Sequence, residues 1–230
     1  MNTALLLSGG TGSRMQANIP KQYIRVKDKM VITYSLETLV KASGIEKIYI
    51  VAAKEWSEEI MTDAKRHGIC TDKIAGFAIP GISRQSSILN GLRRIDDTCN
   101  ADTVLIHDAA RPRLTEAQII ECFTALDGHD GVLPVLPMKD TVYLSEDGRH
   151  VTELLDRGKL FAGQAPELFC LKKYYQANVM LLPDRINQIN GSTEPAILAG
   201  MDIVMIPGNE GNFKITTNAD MERFRDLCGV

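Results

Sequence analysis

The sequence predicts an α/β fold in which a mostly parallel, twisted sheet is flanked by helices. Apolar runs of strand length alternate with amphipathic runs of helical period as far as residue 126. Polar clusters, one of them rich in glycine, follow the strand-like runs, as at the ligand-binding edge of a parallel sheet. The chain has 230 residues, 44% hydrophobic and 24% charged, a size and balance that one domain with a full core can fill.

Residues 3–8 (TALLLS) are a buried strand that runs into the glycine-rich loop. Residues 31–43 place Ile32, Leu36, Leu39 and Val40 on one helical face. A strand is predicted over 45–53 and a helix over 55–67, then a strand over 74–79. The helix over 83–95 turns Ile88, Leu92 and Ile95 inward. Residues 103–107 (TVLIH) form an apolar strand that ends at a polar cluster, and 115–126 opens as a helix capped by Thr115. Repeated strand–helix–strand units pair in parallel with helices on both faces, so the sheet is Rossmann-like. The rhythm breaks at 138–163. There, residues 140–144 and 149–154 read as two strands joined by the turn Ser145-Glu146-Asp147-Gly148. An isolated hairpin is marginal in water, so this arm is expected to project and pack on a second subunit. A helix near 171–182, a strand over 201–206 and a helix over 218–228 complete the chain. No repeat, low-complexity tract or linker divides it, and residues 1–230 are read as a single domain that includes the arm.

A net charge of −3 argues against bulk attraction to nucleic acid or an anionic membrane. Any phosphate binding must therefore rest on a local group of cations. The five cysteines are scattered and never form a C-x-x-C pair, which fits reduced thiols rather than a disulfide framework or a zinc site. The start MNTALLLSGG has no basic leader, and no run approaches the ~20 apolar residues of a membrane span, so a cytoplasmic location is expected. The methionines are read as core filling.

The loop Ser8-Gly9-Gly10-Thr11-Gly12-Ser13-Arg14-Met15, followed by Pro20-Lys21-Gln22, carries the strongest chemical signal. Closely spaced glycines after a strand let backbone N–H groups approach a polyphosphate, and Arg14 and Lys21 add fixed positive charge. No Gly-Lys-Ser/Thr follows, so it is not a Walker loop, and the spacing of a dinucleotide fingerprint fails. His107, at the end of an apolar strand, reads as a structural hydrogen-bonder rather than a catalyst.

The string G-G-T-G-S-R-M with P-K-Q-Y resembles the nucleotide loop of sugar- and polyol-phosphate nucleotidylyltransferases. It is most similar to the 2-C-methyl-D-erythritol 4-phosphate and ribitol-5-phosphate cytidylyltransferases. Further segments match in the same order: Gly81-Ile82-Ser83-Arg84 through Ser87, His107-Asp108-Ala109-Ala110-Arg111-Pro112, Lys139-Asp140-Thr141, Asp156-Arg157 with Gln164 to Phe169, and Asn212-Phe213-Lys214. The resemblance implies a nucleotide-diphospho-sugar transferase-like fold and transfer of CMP from CTP to a polyol phosphate, with Mg²⁺ and release of pyrophosphate. It implies catalytic roles for Arg14, Lys21, Arg157 and Lys214. Ser8, Gly9, Gly10, Thr11, Gly12, Gly81, Arg84, Ser87 and Ala109 would bind the nucleotide. Asp108, Arg111 and Thr141 would take the acceptor, with Asp108 near the metal. The arm would cross to the partner of a homodimer and bring Thr141 and Arg157 to the neighbour's acceptor pocket.

Two departures bear on the acceptor. Ile82 stands where the erythritol-phosphate enzymes usually carry an aspartate, and Asn190-Gly191-Ser192-Thr193-Glu194 lacks the usual Thr-Asp-rich character. H-D-A-A-R-P favours methylerythritol phosphate and isoprenoid precursor synthesis, the leading expectation. G-G-T-G and Ser87-Ile88 lean toward ribitol phosphate and cell-wall or capsule precursors. A nucleotidylyltransferase for another base or a sugar phosphate, and a non-catalytic nucleotide-binding relative, stand as alternatives.

Overall fold

In the computed structural model, which describes residues 1–10 and 19–230, strand β1 (Asn2–Leu7) lies inside the main sheet. It pairs in parallel with β4 (Lys47–Val51) on one side and β6 (Thr103–Asp108) on the other, and β5 (Ile74–Ala78) extends the parallel run beyond β4. Past β6 the sheet becomes mixed. Strand β11 (Glu167–Cys170) is antiparallel to both β6 and β7 (Gly131–Pro137). Strand β10 (Phe161–Gly163) is antiparallel to the end of β7, and β12 (Ile203–Pro207) pairs with β7 in parallel.

Strand side chains alternate between faces, and the core divides accordingly. Ala4, Leu6, Ile48, Ile50 and Leu105 face a layer that includes Ile32, Leu36 and Leu39 of α1 (Val31–Lys41), Ile60 and Ala64 of α2 (Lys54–Arg66) and Ile119 of α4 (Glu116–Ala125). Leu5, Tyr49, Val51, Val104, Ile106 and Phe169 face Ile88, Leu92 and Ile95 of α3 (Arg84–Asp96) and Tyr174 of α5 (Leu171–Val179). Each such Leu or Ile is worth about 1.5–3 kcal/mol on burial, so the two apolar seams fix which way every strand end points. The short α6 (Glu194–Leu198) adds Ala196 to the second seam. The hairpin β2 (Arg25–Val26) and β3 (Lys29–Met30) packs Val26 with Met221 and Phe224 of α7 (Asn218–Cys228).

The predicted helices and parallel strands lie within a few residues of their places, and Thr115 caps α4 by accepting from the Gln118 N–H. Strands β7, β10 and β11 have no predicted counterpart. Pro134 and Pro137 interrupt the strand signal of β7, because proline cannot donate to a ladder. Gln164 to Pro166 separate the two short antiparallel strands. The arm is a separate ribbon of β8 (Val142–Leu144) and β9 (Glu153–Leu155), with Val142 opposite Leu155 and Leu144 opposite Glu153. Its turn is wider than the predicted four-residue turn at 145–148, and spans 145–152. Asp147 holds that turn open by accepting from the Arg149 and His150 N–H groups, each at 2.8 Å. Among the described residues no helix is long and apolar enough to cross a membrane, and all five cysteines are free thiols.

Candidate active site

A cleft of about 380 Å³ opens at the carboxyl ends of β1, β5 and β6, where ligands bind in open α/β sheets. One wall is the start of the glycine loop. The Ser8 N–H and hydroxyl both donate to the Val51 carbonyl, at 2.9 and 2.8 Å, which ties the loop to β4. The Gln22 amide donates to the carbonyls of Ser8 (2.6 Å) and Gly10 (2.7 Å), and the Tyr23 hydroxyl donates to Ser8 O at 2.9 Å. Tyr23 is itself stacked on Trp56 at 4.1 Å. With those carbonyls held from behind, the loop is fixed against the sheet. A Cβ at Gly9 would lie 2.6 Å from Pro80 Cβ, whereas a Cβ at Gly10 would meet none of the described residues within 4 Å.

The facing wall is the turn into α3. A Cβ at Gly81 would stand 2.3 Å from Ser86 Oγ and 2.8 Å from the Ser86 carbonyl carbon, so only glycine fits. The Gly81 N–H donates to Ser87 Oγ at 3.0 Å, and Ser83 caps α3 in a reciprocal box with Ser86. Ile82 projects from this turn, 91% exposed.

Asp108, at the end of β6, forms the floor. Arg84 Nη2 lies 3.0 Å from its Oδ1, Lys214 Nζ 2.9 Å from its Oδ2, and Arg111 Nε 3.7 Å from Oδ2. Burial pushes the Asp108 carboxyl upward. Arg84, then Lys214 and Arg111, more than offset this and hold it well below the usual carboxylate range. Burial lowers the Arg111 guanidinium, which donates to the Asn212 carbonyl at 2.8 Å. His107 is fully buried, its Nε2–H donates to the Arg111 carbonyl at 3.0 Å, and burial pushes its pKa down to about 4. It is the structural hydrogen-bonder expected.

The fold therefore brings Ser8, Gly9, Gly10, Lys21, Gly81, Arg84, Ser87, Asp108 and Lys214 to one cleft from five separate stretches of chain. Thr11, Gly12 and Arg14 lie outside the described residues. Ala109 is placed otherwise than expected: it is wholly buried in the core, because its N–H closes on Leu7 O, and Ala110 lines the cleft instead. Arg111 stands behind Asp108 rather than on the cleft lining. Thr141 and Arg157 are on the arm, outside the lining of their own chain's cleft, and Arg157 donates to the Lys139 carbonyl at 2.8 Å. Sequence reasoning assigned no role to Gln22, Tyr23 or Thr216. Gln22 and Tyr23 belong to the P-K-Q-Y string, and Thr216 follows Lys214 by two, so proximity to assigned residues was the available signal.

Among the described residues no three His, Cys, Asp or Glu side chains gather as a metal cage. Asp108 is the one carboxylate among the described lining residues, and both its oxygens already meet cations. A metal caged by protein does not fit. Mg²⁺ is commonly bound through one or two carboxylates plus substrate phosphates and retained waters, and it fits here as an ion carried by a polyphosphate.

A cation-rich cleft beside a glycine loop, at the carboxyl edge of a parallel sheet, defines a nucleotide-handling α/β protein. More particularly, the chain belongs to the 2-C-methyl-D-erythritol 4-phosphate cytidylyltransferase (IspD) family, whose sequence model matches residues 3–225. It is 33% identical over 224 residues to the bifunctional enzyme IspD/IspF of Maricaulis maris, covering 96% of this chain and 55% of that protein. The chain thus spans about half the length of the bifunctional relatives it matches. It is 25% identical to the ribitol-5-phosphate cytidylyltransferase of Lacticaseibacillus paracasei, covering 98% and 97% of the two chains. The fold is that of the 4-diphosphocytidyl-2C-methyl-D-erythritol synthase of Anaerococcus prevotii, with a TM-score of 0.84, 23% identity, and 100% and 96% coverage.

Proposed function

We propose that this chain transfers CMP from CTP to 2-C-methyl-D-erythritol 4-phosphate in the cytoplasm, releasing pyrophosphate. The acceptor's phosphate oxygen attacks the α-phosphorus of CTP, a P–O bond forms, and the bond to the β-phosphate oxygen breaks. The attacking phosphate is anionic near neutral pH, so alignment and fixed positive charge supply most of the catalysis and no strong general base is needed. Lys21 and Arg14 hold the triphosphate. Lys214, released from or shared with Asp108, steadies the incoming phosphate, and Asp108 keeps the opposed cations from repelling one another. Bound with the triphosphate, Mg²⁺ supplies further charge neutralisation. The reading includes a homodimer whose arm lends Thr141 and Arg157 to the partner's acceptor pocket.

The observation that carries this reading is the ion cluster at Asp108, where Arg84 and Lys214 converge at 3.0 and 2.9 Å in the cleft that Gly10 also lines. A coupled pyrophosphate-release assay with Mg²⁺, four nucleoside triphosphates and a panel of polyol phosphates tests it. Turnover confined to CTP with methylerythritol phosphate is expected, and folded protein inert with every pair would end the proposal. Lys21→Ala is expected to lower kcat about 100-fold. One observation favours a second reading, ribitol-5-phosphate as acceptor: the turn facing the glycine loop carries Ile82, and the same assay separates the two acceptors directly.

A further inference from the structure

The stretch 190–194 lacks the aspartates that the resemblance leads one to expect, yet the cluster at Asp108 holds three cations against one carboxylate. A second acid lies close by, on a different element. Glu167 opens β11 directly opposite Ile106 of β6, so its side chain shares a sheet face with Ile106 and with Asp108 two residues on. That face is covered by α3, whose first residue is Arg84. Glu167 is only 8% exposed. Ser192 Oγ donates to its Oε2 and Thr193 Oγ1 to its Oε1, the latter at 3.4 Å, so two hydroxyls from the stretch without aspartates cradle this acid.

That stretch is also fastened to α3. The Tyr174 hydroxyl donates to the Ser192 carbonyl at 2.6 Å, and Gln85, next to Arg84, donates to the Tyr174 oxygen at 3.0 Å. Asp108 and Glu167 are the two acids that act most strongly on Arg84, and both favour its charged form against burial. Arg111 also lies within the field of Glu167. Burial pushes the Glu167 carboxyl upward, and Arg84 with the two hydroxyls opposes this.

We infer that Glu167 is a positioning residue: held by Ser192 and Thr193, it places a negative charge on the face of β11 that α3 covers, and sets Arg84 against Asp108 at the cleft floor. This rests on the cytidylyltransferase reading for its kinetic readout, and CTP affinity measured without acceptor provides a readout that does not.

Glu167→Gln preserves shape and removes charge. It is expected to lower kcat/KM about 10- to 100-fold and to weaken CTP binding in calorimetry in the same direction, since misplacement of a binding group has costs of that order. Adding Thr193→Asp returns a charge to the opposite side of the same contact, and the double variant is expected to recover at least tenfold of the loss. A merely structural carboxylate would not be rescued in this way. The inference is overturned if Glu167→Gln stays within twofold of wild type in both readouts, or if the folded double variant is no better than the single one. Should Glu167→Gln alone fail to fold, the double variant decides: CTP affinity and kcat/KM within about tenfold of wild type are expected, and a loss beyond about 100-fold in both overturns the inference. Should neither fold, Ser192→Ala decides: a several-fold loss of CTP affinity is expected, and an unchanged value overturns the inference. A wild-type chain that binds CTP without turnover would defeat the functional reading and leave this one to be judged by affinity.

Discussion

At Asp108 three cations meet a carboxylate that is 7% exposed, and the consequences extend to stability as well as chemistry. Its folded pKa is depressed, so its stabilising contribution is fully present above an unfolded value of about 3.9 and is lost as pH falls through the lower folded value. Asp108→Asn leaves Arg84, Arg111 and Lys214 to repel one another. A loss of about 3 kcal/mol is expected in urea unfolding at pH 7, the low end for a broken buried pair because Arg84 and Lys214 keep some contact with water. A loss below about 0.5 kcal/mol would mean that the cluster contributes little to folding. His107 acts in a different pH window. The unfolded chain takes up a proton near pH 6.5 while the folded one resists until about 4, so stability falls with pH across that interval, by up to about 1.4 kcal/mol per unit. His107→Asn should flatten this slope between pH 6.5 and 4.5, and an identical slope in both proteins would assign the acid sensitivity elsewhere.

Among the elements, the turn into α3 is the most constrained. Gly81→Ala forces a methyl group into Ser86 backbone that cannot move without loosening the cap at Ser83, so a destabilisation of about 1–3 kcal/mol is expected. CTP affinity should fall together with stability, because the same turn forms one wall of the cleft. Affinity preserved in a destabilised variant would place the nucleotide away from this turn. On the facing wall, Gln22→Ala removes two donors to the Ser8 and Gly10 carbonyls. The glycine loop would then be held by Tyr23 and by the Ser8 bonds to Val51, with Gly10 released, and a weaker grip on CTP is expected with little change in global unfolding.

For the whole molecule, the exposed apolar side chains of the arm matter most. Tyr143, Leu144, Val151 and Leu154 are exposed on the β8–β9 ribbon and its turn, and Phe161 is exposed on β10 where the ribbon rejoins the main sheet. Sedimentation is expected to give a dimer, and Leu154→Lys with Phe161→Lys to shift it toward monomer. Since Thr141 and Arg157 sit away from the cleft of their own chain, the same double substitution should depress turnover while CTP binding survives. A fully active monomer would exclude any contribution of the arm to a neighbouring site.

Local pattern was enough to reveal much of this protein. Apolar periodicity marked β1, β4, β5 and β6 with their helices, because strands buried on both faces and amphipathic helices leave a signal in consecutive residues. Gly9, Gly10 and Asp108 were legible for the same reason, since each lies at or just past the end of such a run, whereas Arg157 and Lys214 were marked only by the family resemblance. Tertiary structure alone decided the rest. The pairing of β7, β10 and β11 depends on long-range partners that mask two prolines. Gln22 matters only because it meets carbonyls more than ten residues away, and Ala110 rather than Ala109 lines the cleft because the bond to Leu7 keeps Ala109 on the sheet and in the core. Glu167 shares a face with Asp108 only because an antiparallel register sets it opposite Ile106. Such residues act through space across a sheet, and their neighbours in sequence carry no trace of it.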